Sequence, residues 1–254
     1  MKIIFDKELW CFCHRLDLVA KKFISDDQEN KTIFDKCKKT IKVRKKSIGF
    51  SATYERKKNR DIGNKIPDLI SASKTRWRYC DDMFNSFIKN KDVLNAVWVE
   101  ENFDDALTEE DWKRVEVMKQ FLSPISTTIT LLEGSKYPTL NIALKTMFFV
   151  RDQWSKAPNG DDKKRILKIF EKYFGDENTW YEDSMWNLCI LATALDPSNF
   201  EFHYVRNLES KRYLSEKAKT LLREHILENS NIEDSETDDN PFNDWENDNV
   251  QSHI

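Results

Sequence analysis

Residues 108–133 read TEEDWKRVEVMKQFLSPISTTITLLE, and this stretch decides the fold class. Trp112, Val115, Met118 or Lys119, Leu122, Ile125, Ile129 and Leu132 recur at spacings of three and four, the period that lines one side of an α-helix. Thr108 and Asp111 stand in the capping-box relation, a hydroxyl and a carboxylate three residues apart at the mouth of the run. Pro124 is expected to bend the helix, since proline removes one backbone donor and crowds the preceding turn.

The flanking sequence repeats the pattern. Downstream, residues 140–154 predict a second helix antiparallel to the first, 161–174 a third, 185–195 a buried one stopped by Asp196-Pro197, and 208–227 a last. Upstream, residues 9–23 predict a helix with Cys13, Leu16, Val19 or Ala20 and Phe23 on one side and Arg15, Asp17, Lys21 and Lys22 elsewhere. Residues 30–59 accommodate two helices, 61–73 read as a loop, and 92–99 continue apolar. Ile3, Ile4 and Phe5 form a short patch expected to end a strand. Between loop and helix lies SKTRWRYCDDMFNSF, residues 73–87, where Thr75 is placed to cap a helix and Trp77, Cys80, Phe84 and Phe87 share one face. Trp77 on that face reads first as a core aromatic and Arg76 as its solvated neighbour.

Composition agrees with a mainly α chain. Gly and Pro together number only 11 of 254 residues, while 16 Phe and 8 Trp supply large side chains for a core. No apolar stretch approaches the roughly 20 residues of a membrane span, and no signal peptide is expected from the charged opening residues. Five cysteines without framework spacing read as reduced thiols, and so as a protein of the cytosol or nucleus.

The net charge of −3 hides an asymmetry. Residues 1–100 carry 23 Lys and Arg against 14 Asp and Glu, and the remainder carries 18 against 30. Seven of the eleven residues in 36–46 are basic, with Ile41 and Val43 interleaved, and Arg56, Lys57, Lys58 and Arg60 add a second cluster. Such density is the footprint of phosphate contacts. It serves equally as a nuclear import signal or as a solvated helix face. Residues 233–248 hold eight acidic residues and no basic one, so the chain from 229 onward is expected to be disordered. Cys11, Cys13 and His14 invite a metal reading, which is rejected because zinc needs four convergent ligands and no second Cys/His pair stands at finger spacing.

Several spaced blocks resemble one family. Cys11-Phe-Cys-His14-Arg-Leu-Asp-Leu is similar to the Cys-x-x-His-x-Leu-Asn-Leu signature of the hAT (hobo and Activator type) DNA transposases and of the zinc-finger-BED and other domesticated proteins related to them. Thr75-Arg76-Trp77 with Met83 resembles the family's Thr-Arg-Trp block, residues 131–139 its Tyr-Pro-Thr turn, and Ala194-Leu195-Asp196-Pro197 with Phe200 its Leu-Asp-Pro-Arg-Phe block. Asp17 replaces the usual Asn and Ser198 the usual Arg.

The resemblance implies the large helical insertion domain of an RNase H-like transposase, covering residues 29–228, with a remnant of the RNase H-like core in 1–28; the acidic tail in 229–254, read from composition, does not resemble the family's terminal block. The family cuts DNA with three carboxylates and two divalent ions, Mg or Mn. Those carboxylates have no counterpart in this chain, so no catalytic residue and no cofactor is expected. The resemblance assigns DNA contact to Arg76 and Trp77 and a place bordering the active site to Cys11 and His14; Lys38, Lys39, Lys45 and Lys46 join the DNA-binding set from the charge pattern. The leading expectation is a catalytically inactive, transposase-derived nuclear protein that binds nucleic acid or protein partners and no membrane. The alternatives are a truncated part of an active transposase and a structural relic without function.

Overall fold

The computed structural model describes residues 11–60, 66–71, 79–134, 139–175 and 184–236. Among these, every regular element is a helix: α1 (Phe12–Ser25), α2 (Gln28–Lys46), α3 (Ile48–Arg60), α4 (Tyr79–Lys89), α5 (Lys91–Glu100), α6 (Glu109–Leu132), α7 (Leu140–Lys156), α8 (Asp161–Phe174), α9 (Ser184–Ala194) and α10 (Leu208–Glu236). The patch at Ile3 to Phe5 lies outside the described residues.

Helix α6 is the axle. Its first turn is closed as the spacing required, with the Thr108 hydroxyl accepting from the Asp111 N–H at 3.1 Å and the Asp111 carboxylate from the Thr108 N–H at 3.0 Å. The helix then runs on through Pro124. Helices α1, α2, α4 and α7 all pack against it. On one side α4 and α5, with α3, enclose Trp98 and Trp112, whose rings lie 5.9 Å apart. On the other, α7 and α8 enclose Trp154, whose indole N–H donates to the Phe121 carbonyl at 3.0 Å. Helix α9 packs on α7, and α10 packs on α9.

The predicted apolar face of α1 is the buried one: Cys13, Leu16, Val19, Ala20 and Phe23 are all in the core. Its opening residue Phe12 lies 5.4 Å from Trp186 and 6.3 Å from Phe174, ring to ring. The helix assigned to a core remnant therefore shares the core of the helices that follow it. Asp17, expected off the apolar face, is buried and is compensated by Lys21 one turn on at 2.5 Å. On α4 the expected face is likewise inside, with Cys80, Phe84 and Phe87 buried, while Thr75, Arg76 and Trp77 lie outside the described residues. At the far end, α10 reaches Glu236, eight residues into the segment expected to be disordered. An established helix extends cheaply, one hydrogen bond for each residue fixed, and residues 229–236 contain neither Gly nor Pro.

One charged cluster closes the corner between α1 and α2. Asp27 caps α2 by accepting from the Asn30 N–H at 2.9 Å, and the same carboxylate meets the Arg165 guanidinium. Asp162 takes Arg114 in a two-pronged bond at 2.5 and 2.8 Å and Arg165 at 2.6 Å. Arg114 also donates to the Asn30 side chain at 2.8 Å, and the Asn30 amide donates to the Phe23 carbonyl at 3.3 Å. Burial pushes the Asp27 carboxyl up, but the Asn30 N–H and the two guanidiniums outweigh it and hold it below its ordinary value. Asp27→Ala removes the cap and leaves the two guanidiniums short of a counter-charge, and is expected to cost about 2–4 kcal/mol in a urea melt near neutral pH. The folded carboxyl titrates below its unfolded value of about 3.9, so its contribution is complete above that pH and is lost as pH falls through the folded value. Asp27→Asn, which keeps a capping oxygen but cannot ionise, is expected to show a shallower acid loss of stability than the native chain.

Candidate nucleic-acid interface

Helix α2 shows its two sides plainly. Ile33, Cys37, Thr40 and Ile41 face the core, and Phe34 packs edge-on against Phe84 at 6.1 Å. The outer side carries Lys38, Lys42, Lys45 and Lys46, three or four residues apart and all exposed. An open groove of about 480 Å3 follows this stripe, lined by Lys38, Lys39, Lys42, Lys45 and Lys46, by Asp35 and Ile41, and by Ser71 from outside the helix.

Ser71 is brought there by an extended strap, residues 66–71. Buried Asn90 donates to the Pro67 carbonyl at 2.9 Å and to the Ser86 carbonyl at 2.8 Å while accepting from the Tyr54 hydroxyl at 2.7 Å. The Ile70 N–H donates to the Ser86 hydroxyl at 3.0 Å. Leu69 is buried and Asp68 pairs with Arg44 and Lys58. Through Asn90 and Ser86 the strap is pinned to α3, α4 and α5 at once. Thr75-Arg76-Trp77 begins four residues after Ser71.

Most of the basic residues that make the sequence look polyanion-binding are neutralised from within the protein. Lys36 pairs with Asp111 at 2.7 Å, Lys39 with Asp105, and Arg44 with Glu55 at 2.8 Å. Lys38 meets Asp35 at 3.4 Å, a loose pair exposed on both sides. In the second cluster Arg56 and Lys57 converge on Glu100 and Lys58 on Asp68. The Glu100 carboxyl is held below its usual range, first by the Lys57 ammonium and then by Arg56. Among the described residues, Lys42, Lys45 and Lys46 have no carboxylate partner. Of the four lysines expected to bind, Lys38 and Lys39 are paired, while Lys45 and Lys46, together with Lys42 from outside the expected set, have no carboxylate partner among the described residues. The position of Lys42 one turn after Lys38 and one turn before Lys45 and Lys46 is the signal that places it on the same track.

Cys11 and His14 share the first turn of α1. Cys11 holds the N-cap position without a side-chain cap bond and is exposed, as is His14. Cys13 turns into the core, where burial pushes its thiol up to about 12. No group of three or more His, Cys, Asp or Glu that could hold a metal ion is found among the described residues. The Leu-Asp-Pro block serves as a structural tie. The Asp196 carboxylate accepts from the Asn199 amide at 2.6 Å, the Asn141 amide at 2.7 Å and the Ser198 N–H at 2.9 Å, joining the end of α9 to α7.

Comparisons with protein-family models, with curated proteins and with solved structures return no match for this chain.

Thiol titration of the native protein is expected to find one fast cysteine, Cys11, with the four buried ones reacting only on unfolding. A second fast thiol in the folded state runs against the burial of Cys13, Cys37, Cys80 and Cys189.

Proposed function

We propose that this chain is a transposase-derived protein of the hAT kind that binds the phosphate backbone of nucleic acid along α2 and does not cut it. The observation that carries the reading is the stripe of exposed ammonium groups, Lys42, Lys45 and Lys46, that have no carboxylate partner among the described residues and stand beside an open groove. Ammonium groups without internal partners are the ones whose pairing with phosphate releases counterions at no cost in broken ion pairs. Lys38 and Lys39 flank the track and would have to exchange a carboxylate for a phosphate.

The transposase part of the reading rests on the spaced sequence blocks alone. In it, Arg76 meets phosphate and Trp77 stacks on a base, reached by the chain just beyond Ser71. The absence of cutting is part of the same proposal and rests on the blocks that carry the resemblance, none of which holds one of the family's three catalytic carboxylates. Lys45 and Lys46, on the solvent side of α2, also suit an import receptor, and the nucleus is the compartment this reading assigns.

Anisotropy titrations of duplex DNA at several salt concentrations test it. Phosphate contacts by Lys42, Lys45, Lys46 and Arg76 predict a slope of log affinity against log salt of about −3.6, whereas engagement of all seven basic residues in 36–46 together with Arg76 would give about −7. Replacing Lys42, Lys45 and Lys46 together by alanine is expected to cut the slope to about −1, while Lys57→Ala leaves it unchanged. A slope untouched by the triple replacement sinks the proposal.

A further inference from the structure

The joint between α2 and α3 is a single residue, Ser47, whose N–H donates to the Val43 carbonyl at 2.8 Å and whose hydroxyl accepts from the Phe50 N–H at 3.2 Å. The backbone at this tip is thereby fixed from both sides. Phe50 and Tyr54 turn inward, Phe50 lying 5.7 Å from the Phe103 ring, and this register points position 48 outward. The residue there is isoleucine, 88% exposed, the most exposed large apolar side chain among the described residues. Single exposed apolar residues are ordinary. What sets Ile48 apart is its company, because Lys45 and Lys46 precede it and, with Arg44, line a second hollow of about 400 Å3 on its flank.

Gly49 follows, and the fold does not ask for a glycine there. Its φ is not in the left-handed region, and beyond its chain neighbours and its own helical backbone a Cβ added to it would come no closer than 3.8 Å to another atom, Glu101 Oε2 being nearest. Glycine in the first turn of a helix carries an entropic penalty. Two adjoining positions at the tip of the lysine track therefore hold residue types that packing and conformation leave unexplained: an apolar side chain held out in water, and bare backbone beside it.

We infer that Ile48, with Gly49 giving close access, is a contact for the face of an unpaired base, so that the lysine track takes single-stranded or locally unpaired nucleic acid in preference to intact duplex. In a duplex the base faces are stacked away and only phosphates meet the track; in a single strand each base offers an apolar face within one nucleotide of a phosphate. Lysines on one flank of a rigid apolar point match that alternation. An anionic membrane also combines charge with an apolar interior, but anchoring there needs a broad apolar helix face, and one isoleucine does not provide it.

This inference rests on the proposed nucleic-acid reading, and one set of titrations separates the two. The full chain is titrated with a labelled single strand of about 20 nucleotides, longer than one site, and with a duplex of the same length. Expected are tighter binding of the single strand, and a loss of about fivefold to tenfold on Ile48→Ser for the single strand only, with duplex affinity and salt slope unchanged. Gly49→Ala is expected to raise the melting temperature while weakening single-strand binding, a pairing that a purely structural glycine cannot give. An Ile48→Ser protein that binds single strands as well as the native chain overturns the inference and leaves the lysine reading standing. So does a loss seen only on phosphatidylserine vesicles. Failure of the native chain to bind either nucleic acid removes both.

Discussion

The Asp27 carboxylate is the point on which the assembly of this protein turns. It stands just past the end of α1 and caps α2 while it meets Arg165 of α8, and through Asp162 and Arg114 the same network reaches α6. Four helices that touch over apolar surfaces alone could slide. A planar guanidinium gripped at two points by a carboxylate cannot, and Arg114 fixes the register of α6 against α8 in that way. Every charge in the cluster is mostly sheltered yet has partners of the opposite sign, so shelter strengthens the bonds without leaving an uncompensated ion.

From that corner the rest of the geometry follows. With α1, α6 and α8 in register, α2 is laid across α6 through Lys36 and Asp111, its apolar residues inside and its lysines outside. The single-residue joint at Ser47 then sends α3 back beside α2 and exposes the tip at Ile48. Asn90, using its carbonyl and both amide hydrogens, draws the 66–71 strap onto α4 and delivers Ser71 to the lysine groove. The outward face of α2 is thus positioned by contacts none of which a ligand would touch.

The helices were legible because their signals are local. The 3.6-residue period of Cys13, Leu16, Val19 and Phe23, and the Thr108 and Asp111 pair, are written within one or two turns of chain, and the helices they announce are present. The charge state of the basic face was not legible. Lys36 and Asp111 are separated by 75 residues, and Arg56 and Glu100 by 44, so no window of sequence shows that they cancel. Asp17 is buried for a similar reason: its place off the apolar stripe was clear, but the helix is covered on more than one side, by α2, α6 and α8. The end of α10 was missed because composition speaks to whether a segment can make a core, whereas a helix already under way asks only for the absence of a breaker.

The acidic connection between α5 and α6 has a bearing on how such a surface could change over time. Glu100, Asp105 and Asp111 lie well away from the groove along the chain, yet they fix how many positive charges α2 and α3 present to solvent. Each of them behaves as a setting on the reach of the surface. Loss of the Asp105 or Asp111 carboxylate would release one more cation, and loss of Glu100 two, without altering any basic residue. The strength of attraction for a polyanion can therefore drift in fine steps through residues that never meet it, while α2 itself stays as its core contacts require.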